Sequence, residues 1–288
     1  MIENKKIKYI ECPRDAMQGW EKNIPTQVKA DYINALLKVG FDTIDFGSFV
    51  SPKAIPQMAD TKDVLKLLNK EDSHSKLLAI MANKRGALDA SEFDLVDCLG
   101  YPFSVSETFQ QRNTNKTIKA SFVELQEIQE ICLQRNKQLV VYLSMGFGNP
   151  YGDIYNSEIV FNWVDKIAAL GVNVISLADT VGLASPSQIE EITKAISGKI
   201  EHVEVGVHLH ATSEDWKEKV DAAINSGCTR IDGAFKGIGG CPMAGNVLVG
   251  NMNTDMLIPY LRSRDLLSRQ IDDSQFNHCD AMAGNIFI

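Results

Sequence analysis

Short apolar runs alternate along this chain with longer segments in which apolar residues recur every three or four positions. Runs of the first kind are typical of buried strands, and segments of the second kind are typical of amphipathic helices. The pattern predicts eight strands, at residues 7–12, 42–46, 76–81, 95–99, 138–143, 172–177, 203–208 and 229–232. It predicts helices at residues 26–40, 61–69, 85–90, 116–134, 157–170, 187–196 and 214–226, and two more near the C-terminus.

This order of elements predicts the fold class. Strict alternation of strands and helices indicates a parallel sheet, and eight repeats indicate that the sheet closes into a (β/α)8 TIM barrel, here with extra C-terminal helices. An open doubly wound sheet is the alternative, but no G-x-G-x-x-G motif follows the first strand. No linker rich in proline, glycine or serine divides the chain. We therefore expect residues 1–288 to form a single TIM-barrel catalytic domain.

Composition and charge narrow the class of protein. Hydrophobic residues make up 44% of the chain, which is enough for a sizeable core. The charged share of 23% is ordinary for a globular protein. The formal net charge of -8, without any basic block, argues against a nucleic-acid partner. No secretory signal and no apolar run of roughly 18 residues is present, which argues against a membrane partner. The six cysteines lack C-x-x-C pairing, so we expect free thiols in a reducing cytoplasm.

Polar side chains follow several predicted strands, and barrels of this kind carry their active site at the C-terminal ends of the strands. In V-H-L-H, His208 and His210 are two positions apart and therefore project from the same face. Two imidazoles placed in this way can bind one divalent cation. The other candidates at this rim are Arg14, Asp15, Asp45, Asp179, Cys241 and Asn251. Each alone is also compatible with a helix cap, an ion pair or a packing residue, but together they predict a metal-dependent active site.

Six motifs resemble those of the hydroxymethylglutaryl-CoA lyase family, within a wider group of metal-dependent TIM-barrel lyases and Claisen synthases. They are P-R-D-A-M-Q at 13–18, S-F-V-S-P-K at 48–53, P-Q-M-A-D at 56–60, S-L-A-D-T-V-G-L at 176–183, V-H-L-H at 207–210 and G-I-G-G-C-P at 237–242. The likeness runs in register from about residue 7 to about residue 262, nearly the whole chain. The R-D and H-x-H pieces are shared across the wider group, whereas S-F-V-S-P-K, P-Q-M-A-D and G-G-C-P are more particular to the lyases.

The resemblance implies a divalent metal, Mg²⁺ or Mn²⁺, as the cofactor. Its ligands in this chain would be Asp15, His208, His210 and Asn251. A mixed set of oxygen and nitrogen donors with open positions suits either ion. Asn246 and Asn253 stay open as alternatives to Asn251, although Gly250-Asn251 matches the family's G-N context best.

The reaction implied by the resemblance is the retro-Claisen cleavage of 3-hydroxy-3-methylglutaryl-CoA to acetoacetate and acetyl-CoA. A carboxylate would remove the hydroxyl proton, and the sequence does not choose between Asp45 and Asp179. Arg14 would stabilise negative charge on the thioester oxygen, and Cys241 would protonate the enolate. The substrate site would include Gln18, Ser48, Asn113 and Ser176. We expect an acyl-CoA substrate and, since the outer helices of such barrels often pair, a homodimer.

Three residues near the predicted metal depart from the family pattern. Asp45 stands where glutamate is usual, Cys12 stands where glycine is common, and Ala211 follows the histidine pair in place of aspartate or asparagine. The last change predicts the loss of a contact that orients the histidines. These departures leave the ligand set intact but weaken the substrate assignment, so another 3-hydroxyacyl-CoA is an alternative substrate.

Three other functions compete with the lyase. A 4-hydroxy-2-oxo-acid aldolase of this group tends to have histidine where this chain has Gln18. A Claisen synthase of the homocitrate or isopropylmalate type usually has an additional C-terminal region, and only a short tail follows residue 262. A binding protein that has lost turnover on the same scaffold is the third. An assay of acyl-CoA cleavage separates it from an active lyase.

Overall fold

The computed structural model describes residues 6–200, 202–240 and 250–288. Eight parallel strands hydrogen-bond in sequence order and close into a barrel. The strands are β1 (Lys8–Glu11), β2 (Thr43–Ser48), β3 (Lys76–Ile80), β4 (Cys98–Ser104), β5 (Gln138–Ser144), β6 (Val174–Ala178), β7 (Glu204–His208) and β8 (Arg230–Gly233). The predicted (β/α)8 fold is therefore confirmed.

Helices follow the strands and surround the barrel. They are α1 (Pro13–Gln18), α2 (Thr26–Leu36), α3 (Thr61–Lys66), α4 (Lys84–Ser91), α5 (Glu107–Thr114), α6 (Ile118–Gln134), α7 (Ser157–Ala168), α8 (Pro186–Ser197), α9 (Trp216–Asn225), α10 (Thr254–Ser263) and α11 (Asp273–Ile286). The last two are the extra C-terminal helices, and α11 packs against α2. Within the described ranges, no helix combines the length and the apolar character that crossing a membrane requires.

The prediction of the fourth strand was wrong by several residues. It was placed at 95–99, whereas β4 runs from Cys98 to Ser104 and includes Gly100 and Pro102. Glycine and proline normally argue against a strand interior. Gly100 is used here because a Cβ at that position would lie 2.5 Å from Cδ1 of Ile80 inside the barrel. Packing across the barrel thus outweighs the local preference.

Two helices and one strand end near the site also differ from the prediction. Pro13 does not merely stop the first strand but opens α1, because proline suits the first helical turn. Helix α5 was not predicted, and it begins with the side chain of Ser106 accepting a hydrogen bond from the Phe109 N–H. Strand β2 continues to Ser48, so Asp45 lies in the middle of the strand and Ser48 at its end rather than in a loop.

The barrel interior carries charged as well as apolar side chains. Apolar and thiol side chains form one buried cluster there, made of Leu78, Cys98, Val140, Tyr142 and Val174. Such interiors are normally filled by branched apolar residues. From β8, however, Arg230 lies across Gly206 of β7, and both Arg230 and Asp232 are buried. These polar groups lie beneath the rim that carries the candidate site.

Candidate active site

A cavity of about 410 Å³ opens at the C-terminal ends of the strands. One group of polar lining residues contains Arg14, Asp15, Gln18, His208 and His210, which we call the polar wall. The remainder of the lining combines apolar residues such as Ile80 and Pro102 with polar ones such as Asn113. A larger cavity of about 690 Å³ lies at the opposite, N-terminal ends of β3 to β6 and contains none of the candidate residues. Since the reactive groups converge on the smaller cavity, we assign the site there.

Arg14 connects the carboxylates of this wall. Its Nε donates hydrogen bonds to the two carboxylate oxygens of Asp45 at 3.2 and 3.0 Å, and its Nη2 also donates to Asp45. Its Nη1 donates to Oδ1 of Asp15 at 2.8 Å and to Oε1 of Gln18 at 2.9 Å. All of these groups reach one another because α1 begins directly after β1 and turns Arg14 toward β2. The planar guanidinium therefore holds two acidic groups in fixed positions.

The two carboxylates differ in their acidity. Burial raises the pKa of Asp45 to about 6, although the neighbouring Arg14 opposes this shift. Burial would also raise the pKa of Asp15, but Arg14, the two histidines and the Asn251 amide together hold it well below its usual range. Asp15 is therefore ionised at neutral pH, as a cation ligand must be, whereas the pKa of Asp45 lies nearer the range useful for proton transfer.

The two histidines present their remaining nitrogens to the pocket. His208 Nδ1 lies 3.2 Å from Oδ2 of Asp232, and His210 Nδ1 lies 3.2 Å from the carbonyl oxygen of Gly250. These acceptors leave Nε2 of each ring for a ligand role, and the rings stand 5.2 Å apart at 85°. Burial and the neighbouring His208 lower the pKa of His210 to about 4, which keeps that ring neutral.

The sequence suggested that Ala211 removes a contact that orients the histidines. In the structure, His210 nevertheless has an orienting contact. The Ala211 N–H donates to the Gly250 carbonyl oxygen at 3.1 Å, and the same oxygen accepts from His210. An antiparallel bridge also pairs His210 with Asn251. The backbone after the histidine pair therefore supplies the orienting contact.

Asn251 lies beside Asp15, just outside the cavity lining, and fits a metal site. Its Nδ2 donates to Oδ2 of Asp15 at 2.7 Å and to the carbonyl oxygen of Ile238 at 2.9 Å. Its Oδ1 is buried and has no hydrogen-bond partner among the described residues. A buried acceptor without a donor is unfavourable, and a cation beside Asp15 would satisfy it. Of the alternatives, Asn253 instead caps α10 by accepting from Asp255 N–H, and Asn246 lies outside the described residues.

Asp179 lies behind the pocket. Its Oδ1 accepts from the Ala184 N–H at 3.1 Å, and its Oδ2 has no hydrogen-bond partner in the part of the chain described here, although Lys219 Nζ is 3.8 Å away. Burial raises the pKa of Asp179, and Lys219 opposes that shift. The Asp179 carboxylate therefore stabilises the loop after β6 and does not line the cavity.

The remaining candidates fall into three groups. Gln18 and Asn113 line the cavity, and Gln18 Nε2 donates to Asp15 at 2.9 Å. Ser48 and Ser176 are buried in β2 and β6 beside the cavity lining, which contains neither of them. Cys241 lies outside the described residues.

Sequence reasoning missed two charged residues that position the site. Asp232 holds His208, and it could have been found because it shares the inward face of β8 with Arg230. Lys219 donates to the His210 carbonyl oxygen, but no sequence signal separates it from Lys217, the other lysine of α9.

Comparison with known proteins finds relatives along nearly the whole chain. The family model described as HMGL-like matches residues 7–279. The hydroxymethylglutaryl-CoA lyase of Bacillus subtilis is 31% identical over 91% of this chain and 87% of its own length. The mitochondrial human hydroxymethylglutaryl-CoA lyase is 30% identical over 88% of this chain and 78% of its own length. The solved HMG-CoA lyase of Acinetobacter baumannii, in complex with coenzyme A and 3-methylmalate, is 31% identical and superposes with a TM-score of 0.90, covering 100% of this chain and 93% of that one.

Proposed function

Because the chain belongs to the HMGL-like family, we propose that it is a carbon–carbon lyase that cleaves 3-hydroxy-3-methylglutaryl-CoA to acetoacetate and acetyl-CoA. Curated relatives that are named for this activity align with 91% and 88% of this chain. The observation that carries the proposal is the convergence of Arg14, Asp15 and the histidine pair on one cavity.

The cofactor in this proposal is Mg²⁺ or Mn²⁺. Its ligands are Asp15, His208, His210 and Asn251, supported by the ionised Asp15 carboxylate and the unpartnered Asn251 Oδ1. A bound cation would polarise the substrate oxygens and so favour loss of the hydroxyl proton.

The residues around the ligands have complementary roles in the reaction. A carboxylate takes the proton of the tertiary hydroxyl, and the bond between that carbon and the thioester fragment breaks to give acetoacetate and an enolate. Neither Asp45 nor Asp179 lines the cavity, but Asp45 is the better candidate base, because its pKa is about 6 and it contacts Arg14, which does. Asp179 is directed to the loop after β6. Arg14 stabilises the negative charge on the thioester oxygen.

The enolate then needs a proton, which Cys241 donates in this proposal. Gln18 orients Arg14 and Asp15 through its side-chain amide, and Asn113, which also lines the cavity, binds substrate. Ser48 and Ser176 support the walls from β2 and β6. The acyl-CoA partner, the homodimer and the cytoplasmic location expected from the sequence belong to the same proposal.

Purified protein stripped of metal tests the function directly. With Mg²⁺ or Mn²⁺ restored, it should release acetoacetate and acetyl-CoA in equal amounts, and Cys241→Ser should lose most of this activity. Asp45→Asn should lose much more activity than Asp179→Asn if Asp45 is the base. If metal binds and no acyl-CoA is cleaved, the lyase proposal fails and the binding protein is correct.

A second candidate is the cleavage of another 3-hydroxyacyl-CoA. The shorter Asp45 side chain in place of glutamate favours it, since both Asp45 oxygens are held by Arg14 and a small displacement of a reacting group has a large effect on rate. Assaying a panel of 3-hydroxyacyl-CoA substrates under identical conditions ranks the two candidates by kcat/KM.

A further inference from the structure

A second group of potential metal ligands lies beneath the candidate site. One ligand atom from each of Cys12, His208 and Asp232 lies within 4.8 Å of the others. Cys12 directly follows β1, His208 ends β7 and Asp232 lies in β8. These elements are adjacent, since β8 pairs with β1 on one side and with β7 on the other. Cys12 and Asp232 are each 1% exposed. We call this group the lower cluster.

The lower cluster differs chemically from the predicted Mg²⁺ or Mn²⁺ ligands. A thiolate, an imidazole and a carboxylate are donors that Zn²⁺ accepts, whereas the predicted Mg²⁺ or Mn²⁺ ligands contain no sulfur and these harder ions do not favour a thiolate. Three protein ligands also leave a fourth tetrahedral position open, which water or substrate occupies in catalytic zinc sites. The donor set therefore selects a thiophilic divalent cation.

An unsatisfied acceptor supports a ligand at this position. Oδ1 of Asp232 is buried and has no hydrogen-bond partner among the described residues, and the nearest guanidinium nitrogen, Nε of Arg230, is 3.9 Å away. Buried carboxylate oxygens are rarely left without a donor or a cation. Among the described residues, the Cys12 thiol donates a long hydrogen bond of 3.8 Å to the carbonyl oxygen of Ile10. Both groups are thus available to a cation.

Carboxylates surround the thiol. Burial raises the pKa of Cys12, and the carboxylates of Asp232, Asp45 and Asp15 raise it further, against the guanidinium of Arg14. A small cation is attracted to such a cluster, whereas an uncompensated thiolate is repelled from it.

We propose that Cys12, His208 and Asp232 form a binding site for a thiophilic divalent cation such as Zn²⁺. On binding, the Cys12 thiol releases its proton to solvent, the proton of the neutral His208 ring moves from Nδ1 to Nε2, and Nδ1 exchanges its hydrogen bond with Asp232 for the cation. Because Nε2 then carries the proton, His208 serves either this site or the predicted catalytic set, but not both at once. The site is tested without substrate and does not depend on the lyase activity.

Cadmium reports on the site without any substrate. Titration of the metal-free full chain with Cd²⁺ should produce a near-ultraviolet thiolate-to-cadmium charge-transfer band that saturates at one equivalent. Cys12→Ser should remove the band, and Cys12→Ala is the second variant if the first does not fold. Cys98→Ser, which removes a cysteine equally buried in the barrel interior, should keep it. Cys241→Ser should keep it as well.

The outcomes separate this proposal from the others. Survival of the band in both folded Cys12 variants, or its loss in Cys241→Ser alone, would overturn the lower cluster as a metal site. Asp232→Asn should weaken Cd²⁺ binding by about 10-fold or more, and unchanged affinity would also contradict the proposal. Because no acyl-CoA is present, failure here leaves the lyase proposal untouched.

Discussion

The side-chain ammonium of Lys219 donates a hydrogen bond of 2.9 Å to the backbone carbonyl oxygen of His210. Lys219 is 3% exposed and reaches the site from α9, on the outside of the barrel. Its Nζ also lies 2.9 Å from Asp215 Oδ2 and 3.8 Å from Asp179 Oδ2. One buried cation thus connects a predicted metal ligand with the carboxylate at the end of β6.

Lys219→Met should lower the free energy of unfolding by about 3 kcal/mol. The methionine keeps the apolar part of the side chain, but the buried Asp179 loses its nearest positive charge and the His210 carbonyl loses a donor. Chemical denaturation at neutral pH measures the change. Lys194→Met on α8 is the matched control, since Lys194 is exposed, and it should change stability by less than about 0.5 kcal/mol. Equal effects of both substitutions would contradict the role of Lys219.

Arg14→Lys should reduce kcat/KM for the lyase reaction about 100-fold. Lysine keeps the charge but cannot donate simultaneously to Asp45, Asp15 and Gln18 as the guanidinium does. Initial rates of acetoacetate release check this. Arg262→Lys, at an exposed ion pair on α10, should leave the rates unchanged. A fully active Arg14→Lys enzyme would mean that charge alone, without the forked geometry, is sufficient.

The fold was predictable because hydrophobic periodicity survives in nearly every element. The exceptions have local causes: β4 contains Gly100 and Pro102, and α5 depends on the Ser106 cap more than on an apolar stripe. Periodicity is not a reliable guide where a glycine is selected for space inside the barrel.

The site was predictable only as far as side chains follow strands directly. The H-x-H spacing and the R-D pair could be predicted from the sequence because each pair of residues lies at, or shortly after, the end of a single strand. The Asp232 contact to His208 spans 24 residues and the Lys219 contact crosses from a helix, so both depend on tertiary packing. The support of His210 by the Gly250 carbonyl is a backbone contact, which no side-chain motif encodes.

Gly206→Ala should destabilise the barrel by about 1–3 kcal/mol. A Cβ at this position would lie 3.0 Å from Cδ of Arg230, which is itself buried and cannot move aside without strain. Gly284→Ala provides the opposite control, because the nearest atom to a Cβ there is 3.9 Å away and the position lies inside α11. Removing a glycine from a helix stabilises it by up to about 1 kcal/mol. Thermal unfolding of both variants should therefore shift in opposite directions, and two shifts of the same sign would count against the packing argument.

Because of Glu11, the free energy of unfolding should fall as the pH rises from about 4.5 to about 8. Its carboxyl is fully buried in β1, and burial raises its pKa from 4.5 to about 8, against hydrogen bonds from Thr254 and from the Phe235 N–H. The folded state therefore holds a proton that the unfolded state has already released in this range. The resulting stability is fully present below pH 4.5 and is lost as the pH rises through about 8.

Glu11→Gln isolates this contribution. Glutamine keeps an acceptor for the Phe235 N–H and has nearly the same size, but it does not titrate. The difference in unfolding free energy, wild type minus Glu11→Gln, should fall between pH 4.5 and 8 by no more than about 5 kcal/mol. Taking the difference removes the titration of the other buried groups, including Asp45. A difference that stays constant across this range would show that Glu11 is not protonated in the folded barrel.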